Sequence, residues 1–209
     1  MIKGTPELIA DRRETIINAC ETLYQTMSFR EITLKEIGAL VPFSRPTIYN
    51  YFQTKEEIFL ALFAREYDRW NAALEQILTQ NDRLSPDALA DRIAQTLEQR
   101  TQLLKLLAMN NFDMEANSRP ELLTAFKTSY GRSLSLMQSL LCKFCPALSD
   151  AQVQTVLYIF FPFMFGIYPY AAVTDKQKQA MENAGVDFAY PSVYTLTYHC
   201  LMHLFGESA

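Results

Sequence analysis

Three helix beginnings crowd into one stretch of this chain, and nothing else in the sequence restricts its folding as much: Thr33 with Glu36, Ser44 after Pro42, and Thr54 with Glu57. A threonine or serine hydroxyl accepts a hydrogen bond from the unpaired N–H groups of a first helical turn, and a glutamate three positions on completes the capping box. Pro42 carries no N–H and stops the second helix at about residue 41; Ser44 then opens a third that runs to about residue 52. Two short helices therefore meet across a turn of about three residues, a helix-turn-helix in outline. The same outline occurs in ordinary helical bundles, so geometry alone leaves both readings open.

On either side, side chains recur at helical steps. Ile9, Arg13, Ile16, Cys20, Leu23 and Met27 mark a first helix over 6–27. Phe59, Phe63, Tyr67, Trp70, Leu74 and Ile77 mark a fourth over about 54–78. The polar run 79–84 is the clearest break, and a fifth helix follows Ser85 and Pro86 to about residue 97. Further helices are predicted near 101–111, 120–144, 149–165 and 191–205. Glycine is scarce and no alternation of apolar and polar residues persists, so the fold class is all-α.

With 209 residues, 49% of them apolar, the chain can bury a substantial core. Its net charge of -4 supplies no global basic field. Residues 1–60 hold seven cations against eight carboxylates, so affinity for nucleic acid there requires the cations to share one face. Four cysteines without regular spacing, and a polar start unlike an export signal, point to reduced thiols and a cytoplasmic protein. The sequence holds no glycine-rich phosphate loop, nucleophile elbow or metal triad, which argues against an enzyme and against a cofactor. A helical protein-interaction module is the other alternative.

Residues 32–59, ITLKEIGALVPFSRPTIYNYFQTKEEIF, tip the balance. They resemble the signature of the tetracycline-repressor (TetR/AcrR) family: a threonine-capped helix, a turn, a serine-capped recognition helix ending in tyrosine-x-tyrosine-phenylalanine, then a lysine-glutamate helix start. The resemblance implies a three-helix DNA-binding domain over 1–53 and a larger helical ligand-binding and dimerisation domain over 54–209, linked by the fourth helix. It implies a ligand-responsive transcriptional regulator, in the expected case a repressor. Such a protein binds a palindromic operator in double-stranded DNA as a homodimer and is released by a small apolar or aromatic effector.

Carried onto this sequence, the resemblance assigns Arg45 and Thr47 to base edges, where a guanidinium suits guanine and a threonine methyl suits thymine. Asn50 joins them or bonds a phosphate. Ser44 caps the recognition helix, and Thr33, Tyr49, Tyr51 and Lys55 match positions that touch the DNA backbone. Taken singly, Tyr49 and Tyr51 also fit half-buried packing tyrosines, and Lys55 a plain first-turn lysine. Ile37, Val41, Ile48 and Phe52 are expected beneath as a small core. Pro42 stands where the family commonly has glycine, and proline cannot take a positive φ, so the turn must differ locally.

The same resemblance places the effector site among Phe63, Tyr67, Trp70, Met109, Phe112, Phe126, Tyr130, Phe163 and Tyr168, with Met114, Met137 and Met164 nearby. The bland reading of each is core. Dimerisation is expected through the helices at 149–165 and 191–205. Residues 156–173, VLYIFFPFMFGIYPYAAV, carry no charge over a length of about 27 Å as a helix, enough for a minimal membrane span. Pro162, Gly166, Pro169 and the lack of basic flanks favour instead a helix covered by its own domain and a partner, with no membrane. His199 and His203 lie four apart, and Cys142 and Cys145 three apart, but neither pair has the further ligands of a zinc site, so no metal is expected.

Overall fold

A computed structural model describes residues 5–109 and 111–206, the side chains of 111–113 excepted. Among the described residues there are eleven helices and no strand. The first four are α1 (Pro6–Thr26), α2 (Leu34–Ala39), α3 (Arg45–Ile48) and α4 (Lys55–Gln80). Then come α5 (Pro86–Glu98), α6 (Thr101–Leu107), α7 (Asn111–Ala116) and α8 (Pro120–Phe144). The last are α9 (Asp150–Ala171), α10 (Asp175–Asn183) and α11 (Val193–Phe205). The all-α architecture is as the sequence predicts.

Two compact units form. One comprises Met1–Glu66 with Asn110–Tyr130, the other Tyr67–Met109 with Gly131–Ala209. Helices α4 and α8 each contribute residues to both. In the first unit, Ile16, Cys20, Tyr24, Ile32, Ile37, Ile48, Phe52 and Phe59 are buried. Phe59 meets the rings of Tyr24 and Phe29 edge-on at 5.1 and 4.8 Å between centroids, the arrangement aromatic quadrupoles favour. In the second unit α11 packs on α5 and α9, and α6 on α9. Trp70 is fully buried there, and its indole N–H donates to Thr96 Oγ1 at 3.0 Å.

Several helices begin as their residues dictate. Thr5 and Ser85 accept from Leu8 N and Ala88 N, each just before a proline that has no N–H to leave unpaired. Ser149 and Gln152 form a full capping box at the start of α9.

Four boundaries differ from expectation. The helix expected at 101–111 ends at Leu107 as α6, and a separate α7 begins at Asn111 and runs on to Ala116. Helix α9 continues past Pro162 and Pro169 to Ala171; both prolines are exposed, so the carbonyls they leave unpaired lie on an outer face. Helix α10, which no apolar periodicity announces, has no buried residue. It closes on Gly185 at φ +67°, with Gly185 N bonded to Glu182 O and Val186 N to Met181 O, a Schellman ending. Lastly, α2 stops at Ala39 and α3 spans four residues, so their connection is five residues, 40–44, longer than the expected turn.

Candidate nucleic-acid interface

Helix α2 packs on both α1 and α3, and Ile37, Ile48 and Phe52 are fully buried in the first unit. Thr33 caps α2 by accepting from Lys35 N at 3.1 Å, and its hydroxyl donates to the Glu36 carboxylate. Leu40 N bonds Ile37 O at 3.1 Å, and the chain then passes Pro42 without any positive φ at a non-glycine residue among those described. The turn is therefore built from ordinary right-handed and extended backbone, which proline tolerates. Ser44 is extended and precedes α3, but its hydroxyl lies 3.0 Å from the Thr47 hydroxyl and makes no cap bond to the backbone. Thr47 N is satisfied by Ser44 O at 2.8 Å.

From α3 the side chains divide into an outer and an inner set. Thr33, Ser44, Arg45, Tyr49 and Asn50 are exposed, Tyr49 by 46%, and Thr47 is half-buried. Arg45 Nη2 donates to Tyr49 Oη at 3.4 Å, so a guanidinium and a phenol stand together on one turn. Tyr51 is only 3% exposed. Lys55 is half-buried; its Nζ donates to Phe29 O and Ile32 O at 2.7 and 3.2 Å and sits 4.1 Å from the centroid of the Phe29 ring.

The start of α4 is more elaborate than a capping box. Thr54 accepts from Glu57 N at 3.2 Å and donates to Asn117 O at 3.0 Å. The Glu57 carboxylate, 1% exposed, accepts from Gln53 N at 2.7 Å and from Arg119 Nε and Nη2 at 2.7 and 2.9 Å. It also accepts from Arg119 N at 3.2 Å, and Arg119 Nη2 reaches Tyr51 O at 3.0 Å. Burial pushes the Glu57 carboxyl up, but the hydrogen bonds and charge of Arg119, with the Gln53 N–H, outweigh it and leave the pKa below the usual value. The pairing of Glu57 with Arg119, far along the chain, has no signal in local sequence.

Electrostatics of the module change accordingly. Of the eight carboxylates in residues 1–60, Glu57 pairs with Arg119, while Glu14 and Glu21 pair with Arg65 at 2.9 and 2.8 Å. Two cations from beyond residue 60 thus pair with three of them and offset two of their charges.

Of the residues expected around an effector, Phe63 and Phe126 pack together in the first unit with centroids 4.8 Å apart. In the second, Trp70 lies against Tyr67 and Phe161, and Phe163 stacks on Phe160. Phe63, Tyr67, Trp70, Phe126, Met114, Met137 and Met164 are buried; Met109, Tyr130, Phe163 and Tyr168 are half-buried. The Phe112 side chain lies outside the described residues. A separate cavity of about 350 Å³ is lined by Pro169, Tyr170, Val173, Gln177, Met181, Phe188 and Tyr190, none of them in the expected set.

Helix α9 is, among the described residues, long and apolar enough to cross a membrane. Its Val153, Val156, Leu157, Phe160, Phe161, Met164 and Ile167 are buried, whereas Tyr158, Ile159, Phe165 and Tyr170 are exposed. His199 and His203 are exposed on α11, Cys142 is exposed and Cys145 buried.

Comparison with known proteins agrees with this geometry. Residues 16–62 match the family of bacterial regulatory proteins called tetR, and residues 64–197 match the tetracyclin repressor-like C-terminal domain. An uncharacterised HTH-type transcriptional regulator of Bacillus subtilis, YdgC, is 27% identical over 94 residues, 45% of this chain and only 48% of that protein's length. The fatty acid degradation regulator FadR from Bacillus halodurans superposes with a TM-score of 0.61 at 15% identity, covering 99% of this chain and 98% of the other. FadR from Bacillus subtilis, solved with stearoyl-CoA, gives 0.61 at 15% identity over 94% and 99%.

Proposed function

The chain belongs to the tetR family of bacterial regulatory proteins, and on that premise we propose that it is a cytoplasmic, ligand-responsive repressor without enzymatic activity that binds its operator as a homodimer. The main support is the outer face of α3 and the turn after it, where Arg45, Tyr49 and Asn50 stand exposed above buried Ile37, Ile48 and Phe52. Arg45 and Thr47 read base edges, and Thr33, Ser44, Tyr49 and Asn50 hold the backbone. Tyr51 and Lys55 act mainly from beneath: the Tyr51 ring is buried, and the Lys55 amine ties the α1–α2 connection to the start of α4.

A module with few cations needs two copies on a two-fold axis, presented about 34 Å apart, to hold DNA firmly. The exposed apolar residues of α9, Tyr158 foremost at 74% exposure, supply with α11 the face that a second copy covers. The effector is apolar or aromatic and acts on α4, which begins at the DNA module and continues through Phe63, Tyr67 and Trp70. Weakening operator binding 100-fold takes about 2.7 kcal/mol of coupling, within the usual range. Since one solved relative in fold holds stearoyl-CoA, a long-chain acyl thioester is the first effector to try.

Fluorescence anisotropy with duplex DNA from the region upstream of the protein's own coding sequence tests this. Salt-dependent binding, and a loss of about 1–3 kcal/mol in Arg45→Ala with an unchanged far-UV spectrum, are expected. Equal affinity of wild type and variant across a salt titration would remove Arg45 from the interface.

A further inference from the structure

We propose that Arg119 is the positioning residue that holds the helix-turn-helix in its operator-reading geometry. This rests on the DNA-binding role proposed above and adds the residue through which the α7–α8 connection governs it. Arg119 immediately precedes α8, yet its contacts lie at the end of the recognition segment and the start of α4. The guanidinium grips both oxygens of Glu57 and the carbonyl of Tyr51, and the Arg119 N–H adds a third bond to Glu57. Nearby, Asn117 O accepts from the Thr54 hydroxyl. The stretch from Tyr51 to Glu57, which joins the reading face to α4, is thus fastened at three points to the connection between α7 and α8.

The planar fork matters because it ties a backbone carbonyl after α3 and a side chain of α4 to one rigid group. One group thereby fixes the angle between Tyr51 and the axis of α4, and Tyr49 and Asn50 directly precede the gripped carbonyl. A nonpolar substitute at 119 would leave the Glu57 carboxylate buried without its cation, a loss of stability distinct from any loss of aim.

Stability and aim are separated by three variants, Arg119→Ala, Arg119→Lys and the double variant Arg119→Ala with Glu57→Gln. Each is measured for thermal unfolding, for affinity to a duplex enriched by the wild-type protein from a random pool, and for affinity to an unrelated duplex at the same salt. Arg119→Ala is expected to lose about 10-fold or more on the enriched duplex while changing the unrelated one by less than about twofold. The double variant, free of the buried charge, regains its unfolding midpoint and keeps the loss. Arg119→Lys, which replaces the fork with a point charge, recovers part of it. If the double variant regains operator affinity along with its midpoint, or if both duplexes weaken together, Arg119 stabilises the fold and does not aim it. If the wild-type protein enriches no duplex at all, the DNA-binding role itself fails and this proposal with it.

Discussion

On the function proposed above, Tyr49 and Lys55 serve the DNA-reading module in two different ways. The Tyr49 side chain is exposed and, among the hydrogen bonds described, meets only Arg45, so Tyr49→Ala should weaken operator binding and leave the unfolding midpoint in place. Lys55→Ala should lower both, because Phe29 O and Ile32 O lose their donor, at a cost of about 1 kcal/mol for each bond. Parallel melts and titrations of the two variants distinguish them. Gly38 offers the opposite sign: a Cβ there would meet Ile48 Cδ1 at 3.6 Å and Arg45 Cβ at 3.7 Å, ordinary contacts. Gly38→Ala in the interior of α2 should therefore raise stability by about 0.5–1 kcal/mol in urea unfolding. Glu57 sets a pH dependence. Its folded pKa lies below its unfolded one, so its contribution is present above the ordinary carboxylate pKa and is lost as pH falls through the lowered value. Glu57→Gln should flatten the acid side of the stability profile. At this scale the Thr33 cap was legible from capping chemistry, and the exposed places of Arg45 and Tyr49 agree with the outer face that the motif implies. Arg119 was not, because a pairing across more than sixty residues leaves no local pattern.

Among the helices, legibility followed apolar periodicity and caps. Helix α8 runs over the expected 120–144 because proline, with its fixed φ and no N–H to leave unpaired, suits a first helical position and the apolar spacing persists to Phe144. Helix α10 escaped notice because every one of its residues except Met181 is exposed, leaving no stripe to read. Helix α9 outruns its expected end because prolines on an exposed face cost a helix less than prolines against a core. The α4–α5 pairing makes a sharp prediction, since Trp70 N–H donates to Thr96 Oγ1, which itself donates to Ile93 O at 2.7 Å. Thr96→Val keeps the shape and strands a buried indole N–H, for a loss of about 1–3 kcal/mol. Trp70 is the sole tryptophan, so its own fluorescence reports the unfolding.

Over the whole molecule, a net charge of -4 and a DNA module without excess cations mean that affinity cannot come from a broad basic surface. In the homodimer proposed above it comes from a few contacts doubled by two-fold symmetry, with the carboxylates Glu14, Glu21 and Glu57 held in ion pairs to Arg65 and Arg119. In that proposed homodimer the exposed α9 face supplies the contact that sets the spacing of two recognition helices. Substituting Tyr158 and Ile159 together by glutamate should yield a monomer by sedimentation that still folds, with operator affinity lost. The most direct test of the central claim is selection of duplexes from a random pool by the wild-type protein. An inverted repeat with half-sites about one helical turn apart, bound by two protomers, is the predicted result. A pool that stays random, or a single unrepeated site bound by one protomer, would contradict it.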